Sequence, residues 1–253
     1  CALPISRRST FVNVMGEPKK EPGTDPAEVA DVSGISASVR RSLLLPRPRW
    51  RGVMHRLAVP CSLAGGVVLV ASASGGRDRT GAAVFVMGAV LMFSASSLVH
   101  LRRWSIPTWE VLFRIDHGAI FVLIAASATP IGLSALDGRS ATLLLWAVWI
   151  GAAVGVGVRV LPFHPPKGLM NTLFIVLGWV PIVVAPDLIR ALSLTELLLV
   201  VAEGLLYSGG ALMLGARWPD PSPEVFGYHE VWHTLVTIAV ALHFVVVGLL
   251  VAG

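Results

Sequence analysis

Seven long apolar runs, parted by short connectors rich in Gly and Pro, constrain this chain more than any other feature. They cover residues 57–74, 81–101, 117–133, 141–161, 169–189, 194–216 and 229–251. About 20 apolar residues suffice for a helix to cross a bilayer. The third run is short by apolar count, and its helix is expected to begin near Trp109. Lipid offers no partner to a free backbone N–H or C=O, so spanning segments are helices or closed barrels. Barrel strands alternate polar and apolar residues, and these runs do not. The expected fold class is therefore all-α, a seven-transmembrane helix bundle. Composition agrees, because only 14% of residues are charged, against about 25% in soluble domains.

Such helices use most of 253 residues and leave one membrane domain, expected over 46–253. Residues 1–45 are rich in Pro, Gly, Ser and charge. They cannot bury enough apolar area to fold and are expected to form a disordered, basic N-terminal tail. The stretch 1–14, ahead of Met15, is given no functional weight. The cysteines, Cys1 and Cys61, make no disulfide framework, and Cys61 is expected to be a small buried side chain. The formal net charge is +5, but the basic residues flank the spans: Arg40, Arg41, Arg47, Arg49, Arg51 and Arg56 all precede or open the first. That placement is a topology signal and excludes nucleic acid as the expected partner. Arg102, Arg103 and Arg114 follow the second run, whereas the loops after the third and fifth are near neutral. The expected orientation is N-terminus cytosolic and C-terminus outside, in the plasma membrane (a bacterial inner membrane), with membrane lipids as partners. Trp104, Trp109, Trp218 and Trp232 are expected at the cytosolic boundary, and Arg159 is expected to snorkel.

Ionisable residues inside a span are rare and mark functional sites. His229 and His233 are four apart and share one helix face, so both imidazoles can reach one ion. His100 ends the second run, with Ser96 one turn before it, and Asp116 opens the third helix. On the expected topology, His100, Asp116, His229 and His233 all lie at the cytosolic leaflet. Three imidazoles suit zinc, which in catalytic sites keeps a fourth position for water. The expected metal ligands are His100, His229 and His233, with Asp116 and Ser96 as catalytic candidates beside them. Each histidine alone reads more simply as a helix cap near the headgroups; the set reads as a metal centre. His55 and His164 are expected to be interfacial, His117 to point about 100° away from Asp116, and His243 to lie roughly 15 Å beyond His233. His229-Glu230-Val231-Trp232-His233 also matches the zincin pattern, with Glu230 as general base of an intramembrane protease.

The stretches Ser96-Ser97-Leu98-Val99-His100, Arg114-Ile115-Asp116-His117-Gly118-Ala119-Ile120-Phe121 with Thr129-Pro130, Leu177-Gly178-Trp179 and Phe226-Gly227-Tyr228-His229-Glu230-Val231-Trp232-His233 resemble the hemolysin III family. That family is the bacterial branch of the progestin and adiponectin receptor superfamily, and the resemblance runs from about Arg51 to the C-terminus. It implies seven helices, an inside N-terminus, and a zinc ion near the cytosolic face on His100, His229 and His233. It also implies that Asp116 and Ser96 sit near the bound water. Receptor members look similar to ceramide hydrolases, and lipid amide hydrolysis has been proposed for them. They can carry an uncharged residue at the position of Glu230, which weighs against the protease. The leading expectation is a zinc-dependent hydrolase of a lipid amide or ester. The alternative is a non-enzymatic, membrane-active (haemolytic) or lipid-sensing receptor-like protein. A pore would need polar residues along a helix face through the full bilayer, and the polar set lies at one end.

Overall fold

The computed structural model describes residues 47–161, 166 and 168–252, so the expected tail, Cys1 and His164 lie outside the described residues. Among the described residues, seven helices are long and apolar enough to cross a membrane. They are Val53–Ser72, Gly76–Val99, Ile106–Ala135, Gly138–Val160, Leu169–Ala191, Leu194–Ala216 and Tyr228–Ala252. The chain is an all-helical, multi-pass integral membrane protein. The ends are set by local chemistry: Pro107 stands in the first turn of the third span, where its missing N–H costs nothing. Ser193 and Glu196 close a reciprocal capping box on the sixth.

Two spans are not regular. The third runs as α-helix to Pro130 and continues as a π-turn over Ile131–Ala135. The fifth is an α-helix over Leu169–Gly178, a 3-10 turn over Val180–Val184 and an α-helix over Ala185–Ala191. Pro181 and Pro186 account for the second break, since each lacks an N–H and its ring clashes with the carbonyl four residues back.

The spans pack mostly on their sequence neighbours, and the first closes onto the seventh. Two apolar clusters result. One joins the first, second and seventh spans through Phe85, Phe93, Trp232, Val236 and Val247. The other joins the third, fourth and fifth through Phe121, Leu144, Val148, Phe174 and Leu177. Outward faces carry exposed apolar residues such as Val67, Leu198 and Ile182, the surface a lipid bilayer would cover. Cys61 lies on such a face, not in the core as expected, because the first span turns that side outward. Trp232 departs from its expected interfacial place: it is buried against Gly210, whose Cβ position would lie 2.7 Å from the indole Cε3. Gly151 and Gly155 likewise allow close packing, against Leu177 and Phe121. Gly209, by contrast, faces open space.

Phe121 is 1% exposed and has nowhere to retreat from an added methyl at residue 155. Gly155→Ala should therefore lower stability by about 1–3 kcal/mol, measured as thermal unfolding of detergent-purified protein. An unchanged midpoint would show that the ring can move.

Candidate metal centre

His100 caps the C-terminus of the second span, and His229 and His233 occupy the first two turns of the seventh. Crossing of these helix ends brings the three rings together. One ligand atom from each lies within 4.8 Å of the others, a group that could hold a metal ion. His100 Nε2 and His229 Nε2 are 3.2 Å apart. The His233 ring centroid is 4.5 Å from that of His229 and 5.1 Å from that of His100. His233 Nδ1 is buried with no hydrogen-bond partner among the described residues. Burial first, and then the charge of Arg51, hold His100 well below the usual histidine pKa. Its lone pair is thus free for a cation near neutral pH.

Gly52 sets the position of His100. It has a left-handed φ of 72°, and a Cβ there would come within 2.7 Å of the His100 Cβ. The segment before the first span is itself tied to the loop before the seventh: Arg49 and Trp50 N–H donate to the carbonyls of Glu224 and Val225 at 3.0 and 3.1 Å. The two strips form a rim beside the histidines.

Glu230 is engaged elsewhere. Its Oε2 accepts from the Gly227 N–H at 2.9 Å, the backward half of a capping box at the start of the seventh span. Its Oε1 pairs with Arg51 Nε at 2.9 Å. The carboxylate thus fastens the last helix to the segment before the first and leaves the zincin pattern without a free base.

Asp116 and Ser96 are both buried, and the Ser96 hydroxyl hydrogen-bonds the Asp116 carboxyl. Both line the same cavity as the three histidines, a space of about 770 Å³. It is walled by apolar residues such as Met92, Ile120, Leu123, Ile124 and Phe174, and it reaches Trp179, which is 38% exposed, between the fifth and sixth spans.

Several histidines and an arginine stand otherwise than expected. His55 is buried, not interfacial: it stacks on His233 with centroids 3.9 Å apart, and its nitrogens have no hydrogen-bond partner among the described residues. The first span begins at Val53, before the apolar run proper, and so takes His55 into the bundle. His117 lines the cavity too, but its Nδ1 lies 3.0 Å from the Phe113 carbonyl, to which it donates, and it stands outside the three-histidine group. Arg159 does not snorkel; it is buried, its guanidinium 4.8 Å from the Phe113 ring centre. Arg114 takes the outer place, donating to the carbonyls of Arg159, Val160 and Leu161 that end the fourth span.

Removing the Glu230 side chain leaves the half-buried Arg51 without its carboxylate and the Gly227 N–H without its acceptor. Glu230→Ala should cost about 1–3 kcal/mol in unfolding, while metal content by elemental analysis stays at the wild-type level. Loss of metal with stability unchanged would place Glu230 in the site itself.

The family model described as haemolysin-III related matches residues 44–244. Hemolysin-3 of Bacillus cereus is 30% identical over 197 residues, covering 76% of this chain and 86% of that protein. The hemolysin-3 homolog of Bacillus subtilis (strain 168) is 28% identical over 170 residues, 67% of this chain and 76% of that one. The human monocyte to macrophage differentiation factor is 26% identical over 208 residues, 80% of this chain and 77% of that one. No solved structure matches the chain significantly.

Proposed function

The chain belongs to the haemolysin-III-related family, within the progestin and adiponectin receptor superfamily, and we propose that it is a zinc-dependent hydrolase of an amide or ester bond in an acyl lipid. The observation that carries this reading is a three-histidine cluster opening onto a large apolar cavity with a buried carboxyl beside it. We place the cluster at the cytosolic leaflet, with the N-terminus inside, from the arginines that flank it.

The donor set fits zinc. Two nitrogens held at about 2.0–2.1 Å in a tetrahedral shell lie about 3.4 Å apart, close to the 3.2 Å between His100 and His229. The unpartnered His233 nitrogen gains a bond that its burial otherwise denies it. Zinc on these residues would bring the pKa of a water toward about 7 and polarise a carbonyl.

The chain's own groups do the remaining work. Asp116 takes a proton from the attacking water and later returns it to the leaving nitrogen or oxygen as the C–N or C–O bond breaks. Ser96 fixes the direction of the Asp116 carboxyl through their hydrogen bond. The apolar walls hold the acyl chain and exclude bulk water, and the chain enters from the bilayer past Trp179, a wall residue that is partly exposed. The protease alternative lacks its base, because Glu230 is committed to Arg51 and Gly227.

Elemental analysis of detergent-purified protein should find zinc in near-equal ratio to chain, lost in His229→Ala/His233→Ala. Asp116→Asn should keep the zinc and lower fatty-acid release from ceramide or phospholipid by about 10²-fold or more. Zinc-loaded wild type that releases no fatty acid from any acyl lipid in liposomes would sink the hydrolase and leave a lipid-sensing protein.

A further inference from the structure

The cavity does not end on apolar residues alone. His243 lies ten residues beyond His233 on the same helix, roughly 15 Å deeper along the axis. It is 2% exposed, and Glu203, facing it from the sixth span, is 6% exposed. Both line the cavity that the three-histidine cluster opens onto.

Their hydrogen bonds are defined by the break in the third span. Around Pro130 the helix changes pitch, and the Ile131 N–H goes to the Ala128 carbonyl. The Ser127 carbonyl, one turn before, accepts from His243 Nε2 at 2.9 Å. A carbonyl only accepts, so Nε2 carries a proton. His243 Nδ1 faces Glu203 Oε2 at 2.8 Å, and one proton is shared between them. The Phe85 ring packs edge-on against the imidazole at 4.6 Å and holds it in place.

Two polar atoms remain over. Glu203 Oε1 and the Tyr207 hydroxyl, one turn further along the sixth span, are buried and have no hydrogen-bond partner among the described residues. Both residues line the cavity. An unpartnered carboxylate oxygen in a membrane interior is costly, and such positions are kept where a ligand or water completes them. Between this group and the three histidines the walls are chiefly apolar, from Leu123, Ile124 and Val236 among others.

We propose that Glu203, His243 and Tyr207 form a second binding station, which takes a hydroxyl carried on the chain of an acyl lipid whose carbonyl end lies at the three histidines. This rests on the acyl-lipid reading of the cavity and narrows it to chains with a polar group near mid-length. Glu203 Oε1 accepts from that hydroxyl, and the Tyr207 phenol donates to its oxygen. The carbonyl end stays at headgroup depth while the hydroxyl reaches the middle of the bundle.

The test uses the zinc-loaded full chain in detergent, titrated with oleic acid and with ricinoleic acid, which differs by a mid-chain hydroxyl. Wild type should bind ricinoleic acid about tenfold more tightly, the worth of one buried hydrogen bond to a charged group. Tyr207→Phe and Glu203→Gln should each bring the ratio towards one with oleic acid affinity unchanged. Tyr207→Phe removes a single oxygen and keeps the ring, so the result does not depend on the fold surviving loss of Glu203. Equal wild-type affinities for the two acids would overturn the station and leave it as a place for water alone. Binding of neither acid by the zinc-loaded protein would overturn the acyl-lipid reading and the station with it.

Discussion

The price of an unpartnered polar group inside a membrane shapes this molecule throughout. Every ionisable side chain that the spans carry inward has been given a partner or stands on the cavity. Glu230 takes Arg51 and the Gly227 N–H; Ser96 takes Asp116; His243 takes Glu203 and the Ser127 carbonyl. What remains over is informative for that reason. His233 Nδ1, both nitrogens of His55, Glu203 Oε1 and the Tyr207 hydroxyl are the exceptions that line the cavity. Ser97 Oγ, Ser134 Oγ and Arg159 Nε are unpartnered too and lie off the cavity, so the grouping of Glu203 Oε1 with the Tyr207 hydroxyl, one turn apart on one wall, carries the meaning.

The Arg51–Glu230 pair gives the site its frame. The start of the seventh span, which bears two of the three histidines, is held against the segment that leads into the first. Arg51 and Glu230 fasten those parts, and Gly52 lets the backbone come against His100 without a methyl between them. The same carboxylate caps the helix that bears His229 and His233, so the direction of that helix and its attachment are set by one side chain. Taking both charges out of water offsets much of their attraction, but removing one partner leaves the other buried and unpaired, so the loss falls on stability.

The sequence was legible where chemistry is local. Long apolar runs mark the seven spans, and the spacing of His229 and His233 with His100 at a helix end marks the candidate site. It was less legible where tertiary packing decides. Spans apolar on every side show no periodicity to tell an inward face from a lipid-facing one, which is why Cys61 was expected inside and Trp232 at the boundary. His55 reads as interfacial until the seventh span is known to lie on it. Glu230 sits in a zincin pattern that is also a helix-capping pattern. Only the position of Arg51 tells the two apart. Pro181 and Pro186 were visible as breakers, but the 3-10 turn between the two short helices follows from both acting within one span.

The cavity lies between two apolar clusters, one chiefly on the first, second and seventh spans, the other on the third, fourth and fifth, with the third span joining both through Ala119, Ile120 and Leu123. A single continuous core would have filled that space with side chains. The sixth span packs chiefly on the seventh and stands beside the broken fifth. Trp179 sits at this junction, its indole N–H donating to Ser208 Oγ at 2.9 Å with the ring against Gly204. The break in the fifth span therefore falls at a cavity wall, beside Trp179 and Pro181, and the break in the third falls where the Ser127 carbonyl is supplied to His243. Both irregular stretches are held within the protein or against the cavity, the condition under which non-helical backbone is tolerated at membrane depth. The departures from ideal helix thus fall at Trp179 and at the deep polar group, while the regular helix ends bring the three histidines together.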